Sequence, residues 1–167
     1  MKTIEENLEI LNKIKLICDE NDIEKDDMEI YEEALYEIAI IGNLNIIENL
    51  CEILDEKINV LLPLMDDIIE NIFYISKNNN NLEEGIYIFL SNAYKITLNG
   101  NRLFKKFNKM SLVSQEVYQA YLSAIKRLDK KNLEILFLIL NEIENDKYCS
   151  EVCRDKINFI KNMNLNN

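Results

Sequence analysis

Between residues 19 and 37 the chain holds ten carboxylates and one lysine, Lys25. Carboxylates at this density can do three things: exchange protons, ligate a hard cation, or hold an opposite charge. Proton exchange is poorly supported. The sequence has no histidine, which removes the commonest general base and the usual serine and cysteine triads. Asp66 and Glu70 could form a carboxylate pair, but no substrate-recognising group accompanies them.

Calcium fits no better. With Asp22, Glu24 and Asp26 as the first ligands of an EF-hand loop, Glu33 falls at its twelfth position. Its sixth position is then Asp27, where the loop needs glycine to turn sharply. Neither a catalytic residue nor a metal or other cofactor is expected.

Charge complementarity remains. Glu29, Glu33 and Glu37 recur every fourth residue with Glu32 beside them, so on a helix they share the face opposite the apolar stripe. Like charges so spaced cost about 0.2–0.5 kcal/mol per pair, and a surface selected only for solubility mixes its signs. These four, then Asp22, Asp26, Asp55 and Glu56, are the expected docking residues for a basic protein partner.

The whole chain is divided in the same sense. Residues 1–84 carry 22 acidic side chains against 6 lysines; residues 85–167 carry 8 against 13 lysines and arginines. Such a potential attracts cations and repels nucleic acid and anionic membrane, so neither is an expected partner. Lys105, Lys106 and Lys109 interleave with Phe104 and Phe107, and Lys126, Arg127, Lys130 and Lys131 form a second basic group. Both groups can pair with the acidic half of the same molecule or, in a homodimer, of a second copy.

The elements that must position these charges are helices. Apolar residues recur at helical spacing nearly throughout, and three glycines and one proline leave few breakers. The first helix is expected over residues 4–20 with Ile4, Leu8, Leu11, Ile14 and Cys18 inward, started by the capping box Thr3–Glu6. Asp26 and Glu29 repeat that signature before a second helix, which buries Met28, Tyr31, Leu35, Ile38 and Ile41 and ends on a left-handed Gly42.

Further helices are expected over 44–54, from Pro63 onward with Ile68, Ile69, Ile72, Phe73 and Ile75 inward, and from an Asn81–Glu84 cap through Leu98 with Tyr87, Leu90, Ala93 and Tyr94 inside. A short helix at 102–107 and longer ones over 112–128, 133–144 and 147–162 complete the chain. The expectation is a single all-α domain over residues 1–167, of eight or nine helices in antiparallel pairs, as a HEAT-like helical stack or bundle. Asp66, Asp67 and Glu70 are read as helix-dipole partners after Pro63. Cys18, Cys51, Cys149 and Cys153 are read as buried reduced thiols. Lys2 and Thr3 after Met1 do not open a signal peptide and no stretch reads as a membrane span, so a cytoplasmic location is expected.

Several segments resemble a helical immunity protein of bacterial polymorphic-toxin or contact-dependent inhibition systems, most nearly immunity family thirty. They are Ala34-Leu35-Tyr36-Glu37-Ile38, the turn Gly42-Asn43, residues 50–55, and Tyr121-Leu122-Ser123-Ala124-Ile125-Lys126-Arg127-Leu128-Asp129. The resemblance spans residues 31–143; where its pattern has Trp before the Arg-Leu segment, this chain has Tyr118 or Tyr121. It implies a non-enzymatic cytoplasmic inhibitor that binds a cognate toxin domain and blocks its active site. The alternative is a HEAT-like protein-binding scaffold, or a phage or anti-phage inhibitor.

Overall fold

The first helix begins where the capping box places it. Thr3 Oγ1 accepts from Glu6 N–H at 3.2 Å, and Glu6 Oε2 accepts from Thr3 N–H at 2.7 Å. The computed structural model describes residues 1–19, 25–57 and 62–163. Among them are ten helices and no strand: α1 (Ile4–Asp19), α2 (Lys25–Ile41), α3 (Ile46–Ile53), α4 (Leu62–Asn78), α5 (Leu82–Ser91), α6 (Ala93–Asn99), α7 (Asn101–Val113), α8 (Gln115–Ile125), α9 (Lys130–Glu144) and α10 (Glu151–Lys161). The chain is all-helical, as expected, with one or two more helices than the spacing suggested. No described helix is long and apolar enough to cross a membrane.

The extra breaks have local causes. The helix expected to run to Leu98 bends at Asn92, whose φ of −96° and ψ of 12° leave helical geometry. The Asn92 side chain donates to Ile88 O at 2.9 Å, the competition with backbone bonding that makes asparagine a poor interior residue. The bend carries Tyr94, expected inside, to the surface, where Lys131 Nζ lies 3.5 Å from its ring centre.

Downstream, residues 101–113 form one helix rather than a short one and a gap. Ser114 then starts α8 by accepting from Val117 N–H at 3.4 Å. Two other expectations are corrected. The second helix starts at Lys25, so Asp26 lies in its first turn instead of capping it. Gly42 is not left-handed; a Cβ there would stand 2.5 Å from Ile38 O, so that position needs glycine for space.

The helices pack as a stack. Helix α2 lies against α1 and α4, α4 against α5 and α7, and α5 against α8, while α3, α6, α9 and α10 follow one another along the other side. The apolar stripes read from sequence meet in one buried cluster, with Leu11, Tyr31, Ile38, Ile47, Met65, Ile72, Phe89 and Tyr121 fully enclosed.

Three ring contacts tie α4, α5 and α7 together. Phe73 stacks on Phe107 at 4.5 Å, Phe107 on Phe89 at 3.8 Å, and Phe89 on Phe104 at 5.7 Å between ring centres. Such pairs contribute about 0.5–1.5 kcal/mol each beyond the area they bury. At the α4–α5 crossing Gly85 lets the backbones approach: a Cβ there would sit 1.8 Å from Ser76 Oγ and 2.6 Å from Ser76 Cβ.

Helix α7 takes its N-terminal cap from a distant loop. Gly100 offers no side chain, and Glu56 Oε1 instead accepts from the N–H of Arg102 and, at 3.1 Å, of Leu103. In return Glu56 N–H donates to Asn99 O at 2.7 Å, which pins the 54–57 loop to the α6–α7 turn.

Three substitutions check this framework by urea denaturation. Gly85→Ala forces a shift at the crossing and is expected to cost about 1–3 kcal/mol. Gly100→Ala, whose Cβ would meet Ile96 O only at 3.2 Å, is expected to cost less. Glu56→Ala should cost about 1 kcal/mol, the usual consequence of losing a helix cap.

Candidate partner-binding surface

The carboxylates singled out by sequence do not share one fate. Glu37 turns toward α1: its Oε2 accepts from Lys2 N–H at 2.8 Å and from the Asn7 side-chain amide at 3.0 Å. Its side chain is only 12% exposed, so it leaves the ridge that the four-residue spacing predicted. Those two hydrogen bonds, the Asn7 one foremost, hold its carboxyl below the usual glutamate range. Asp55 pairs with Lys15 of α1 at 3.7 Å and accepts from Lys57 N–H at 3.0 Å. Glu56 caps α7. These three carboxylates hold the fold together.

Asp26, Glu29, Glu32 and Glu33 remain on the exposed face of α2. Glu33 lies 3.7 Å from Lys2 Nζ, with both side chains well solvated, a geometry worth about 0–1 kcal/mol. Asp22 lies outside the described residues, as does the Cys18 side chain.

Glu32 faces a groove of about 230 Å³ between α2 and α4, which it lines with Leu35, Tyr36, Asp67, Glu70 and Asn71. Two helices thus bring three carboxylates to one cleft. Partial burial, then Glu70 and Glu32 nearby, raise the Asp67 carboxyl above its ordinary value, against the opposing pull of Lys106. Neither Glu32 nor Asp67 forms an ion pair among the described residues. Tyr36 beside the groove is 67% exposed and Tyr74, four residues beyond Glu70 on α4, is 50% exposed.

Elsewhere six early acids are matched by later bases within the same molecule. Lys95 reaches Glu48 at 3.3 Å and Glu52 at 3.2 Å. Arg102 and Lys106 reach Asp66 at 3.3 and 3.5 Å, and Lys106 also reaches Glu70 at 3.8 Å. Arg127 bridges Glu83 and Glu84 at 3.3 and 2.7 Å while lying over the Tyr87 ring. Asp66 and Asp67 are thus not first-turn dipole partners. Helix α4 begins at Leu62, and they act across it, Asp66 toward α7 and Asp67 toward α2.

Sequence reasoning missed Tyr36, Asp67 and Tyr74 as parts of one surface. The available signal was aromatic rings at polar-face positions, Tyr36 four residues after Glu32 and Tyr74 four after Glu70. Nothing in one sequence said that α2 and α4 would be neighbours.

The described cysteines Cys51, Cys149 and Cys153 are free thiols. Burial pushes the Cys51 thiol far up, and burial together with Cys149 pushes Cys153 up to about 11, so both are protonated and unreactive at neutral pH. No cluster of potential metal ligands occurs among the described residues. The groove can therefore offer negative charge and aromatic surface.

No curated protein and no solved structure matches the chain. One family model does, Immunity protein 30, over residues 19–121. The matched region holds α2 through α7 and most of α8, hence both walls of the acidic groove; it starts earlier than the expected resemblance and leaves residues 122–129 outside. With more than half of its length so matched, the chain belongs to the Immunity protein 30 family, whose general role is toxin neutralisation.

Proposed function

We propose that this chain neutralises a cognate toxin domain by binding it, without catalysis and in the cytoplasm, through the acidic face of α2 and α4. Asp26, Glu29, Glu32 and Glu33 of α2, with Asp67 and Glu70 of α4, receive lysines and arginines of a basic toxin surface. Asp22 belongs to the same acidic stretch. Glu37, Asp55 and Glu56 serve this face indirectly, by fixing α1, α2 and α7 around it.

One observation carries the reading. Many acids, Asp66 and Glu70 of the same helix included, are matched by bases of the same chain, yet Glu32 and Asp67 line one cleft from two helices and form no ion pair among the described residues. Like charges held together in the free protein are relieved when a partner supplies the cation. Because the basic half already pairs with the acidic half inside one chain, charge gives no reason for a second copy. Opposed charge also accelerates encounter, toward about 10⁸–10⁹ M⁻¹s⁻¹ at low salt, which suits an inhibitor that must capture a lethal protein before it acts.

Titration against the toxin domain encoded by the adjacent gene tests this. The double variant Glu32→Lys/Asp67→Lys is expected to weaken affinity about ten- to hundredfold, chiefly through slower association, and to flatten its dependence on salt. Unchanged affinity would remove the α2–α4 cleft from the interface.

Thermal unfolding separates the two kinds of carboxylate. In Glu37, whose pKa is depressed by folding, ionisation stabilises the fold above the ordinary glutamate range, and this is lost as pH falls through the folded value. Glu37→Gln should therefore lower Tm at pH 7, by less as the pH drops. In Asp67, whose pKa is raised, ionisation opposes folding, and stability is lost as pH rises from the ordinary aspartate range through the folded value. Asp67→Asn should raise Tm at pH 7, and the gain should vanish in acid, where the wild-type group is protonated in the fold.

A further inference from the structure

Acidic rims accelerate capture but hold weakly, because exposed ion pairs contribute little once water screens them. Tight inhibition needs a desolvated apolar anchor near the centre of the contact. Next to the acidic cleft the structure has such a place.

Helices α4, α7 and α8 enclose a groove of about 410 Å³ lined by Glu70, Phe73, Lys77, Met110, Ser114 and Val117. Its outer lip runs over Lys109, Met110, Val113 and Ser114, and this part is almost wholly apolar. Glu70 belongs to both this groove and the acidic one, so the two are continuous across α4. Phe73 and Val117 form a largely buried floor, Met110 is half-buried, and Val113 stands 78% exposed at the end of α7. At the far end Lys77 pairs with Glu116 at 2.8 Å, which leaves that end locally balanced in charge. On the α2 side Glu32 and Asp67 line the acidic cleft and form no ion pair among the described residues.

We infer that the α4–α7–α8 groove is the affinity anchor for the toxin, seating a large apolar side chain whose neighbouring lysine or arginine enters the Glu32–Asp67–Glu70 cleft. This rests on the toxin-binding reading and adds to it the chemistry of the recognised segment: apolar and basic side by side, the basic residue toward α2. The charge distribution gives that orientation, since the Lys77 end is already balanced by Glu116 while Glu32 and Asp67 line the α2 end. Methionine at the groove wall suits the task, because its unbranched, polarisable side chain adapts to the ring or branched chain it receives.

The test uses the full chain and the purified toxin domain encoded by the adjacent gene, with affinity and dissociation rate measured at several salt concentrations. Val113→Asn and Met110→Gln are neutral polar changes, and Val113 is so exposed that its replacement leaves the fold intact even if Met110→Gln perturbs it. Each is expected to speed dissociation, together weakening affinity about tenfold or more with the salt dependence unchanged. Glu32→Gln/Asp67→Asn should instead flatten the salt dependence.

If both groove variants bind like the wild type while the charge variant weakens binding, the anchor is wrong and the acidic-face reading stands. If the wild-type chain does not bind the toxin domain at all, the toxin-binding reading falls and the anchor with it. Light scattering that gives a dimer of the free chain, abolished by Val113→Asn, would assign the groove to a second copy and overturn the inference.

Discussion

The position of α4 is the constraint on which the rest depends. Its inner stripe packs into the core, and the Phe73 ring lies on Phe107, which lies in turn on Phe89. That stack fixes α4 against α7 and orients its outer surface, so that residues one position apart serve different neighbours. Asp66 reaches Arg102 and Lys106 on the α7 side, while Asp67 opens toward Glu32 of α2. A rotation of α4 by one residue, about 100°, would take Asp66 away from Arg102 and Lys106 and turn the buried stripe out of the core.

The uneven charge of the sequence thus has two physical meanings. Part of it is internal stitching: Lys95 to Glu48 and Glu52, Arg127 to Glu83 and Glu84, Lys15 to Asp55. Each pair is weak in water, but together they place the later helices over the earlier ones. Another part gathers at the α2–α4 cleft, where Glu32 and Asp67 form no ion pair among the described residues and partial burial, with Glu70 nearby, raises the Asp67 carboxyl.

Helix identities and buried stripes were legible because they follow from spacing within a few turns; Ile68, Ile69, Ile72 and Ile75 are buried as the pattern required. Breaks were less legible, since the bend at Asn92 depends on one side chain choosing a backbone carbonyl. Which carboxylates would face solvent was legible only in part: Asp26, Glu29, Glu32 and Glu33 are exposed as their spacing required. Glu37 has the same periodicity as Glu29 and Glu33, yet Asn7 and the backbone of Lys2, some thirty residues away, draw it inward. Glu56 appeared as surface charge and serves as the cap of a helix whose own preceding residue is glycine. Both outcomes arise from contacts between segments distant in sequence, which composition and periodicity do not encode. The groove has the same origin: its walls come from α2, α4, α7 and α8, whose adjacency is a property of the stack.

Hydrogen–deuterium exchange of the chain, alone and saturated with the proposed toxin partner, tests the central claim most directly. Slower exchange concentrated in α2, α4 and the C-terminal half of α7 is the predicted result. Slowing confined to α6 and α9, with α2 and α4 exchanging as in the free protein, would contradict it.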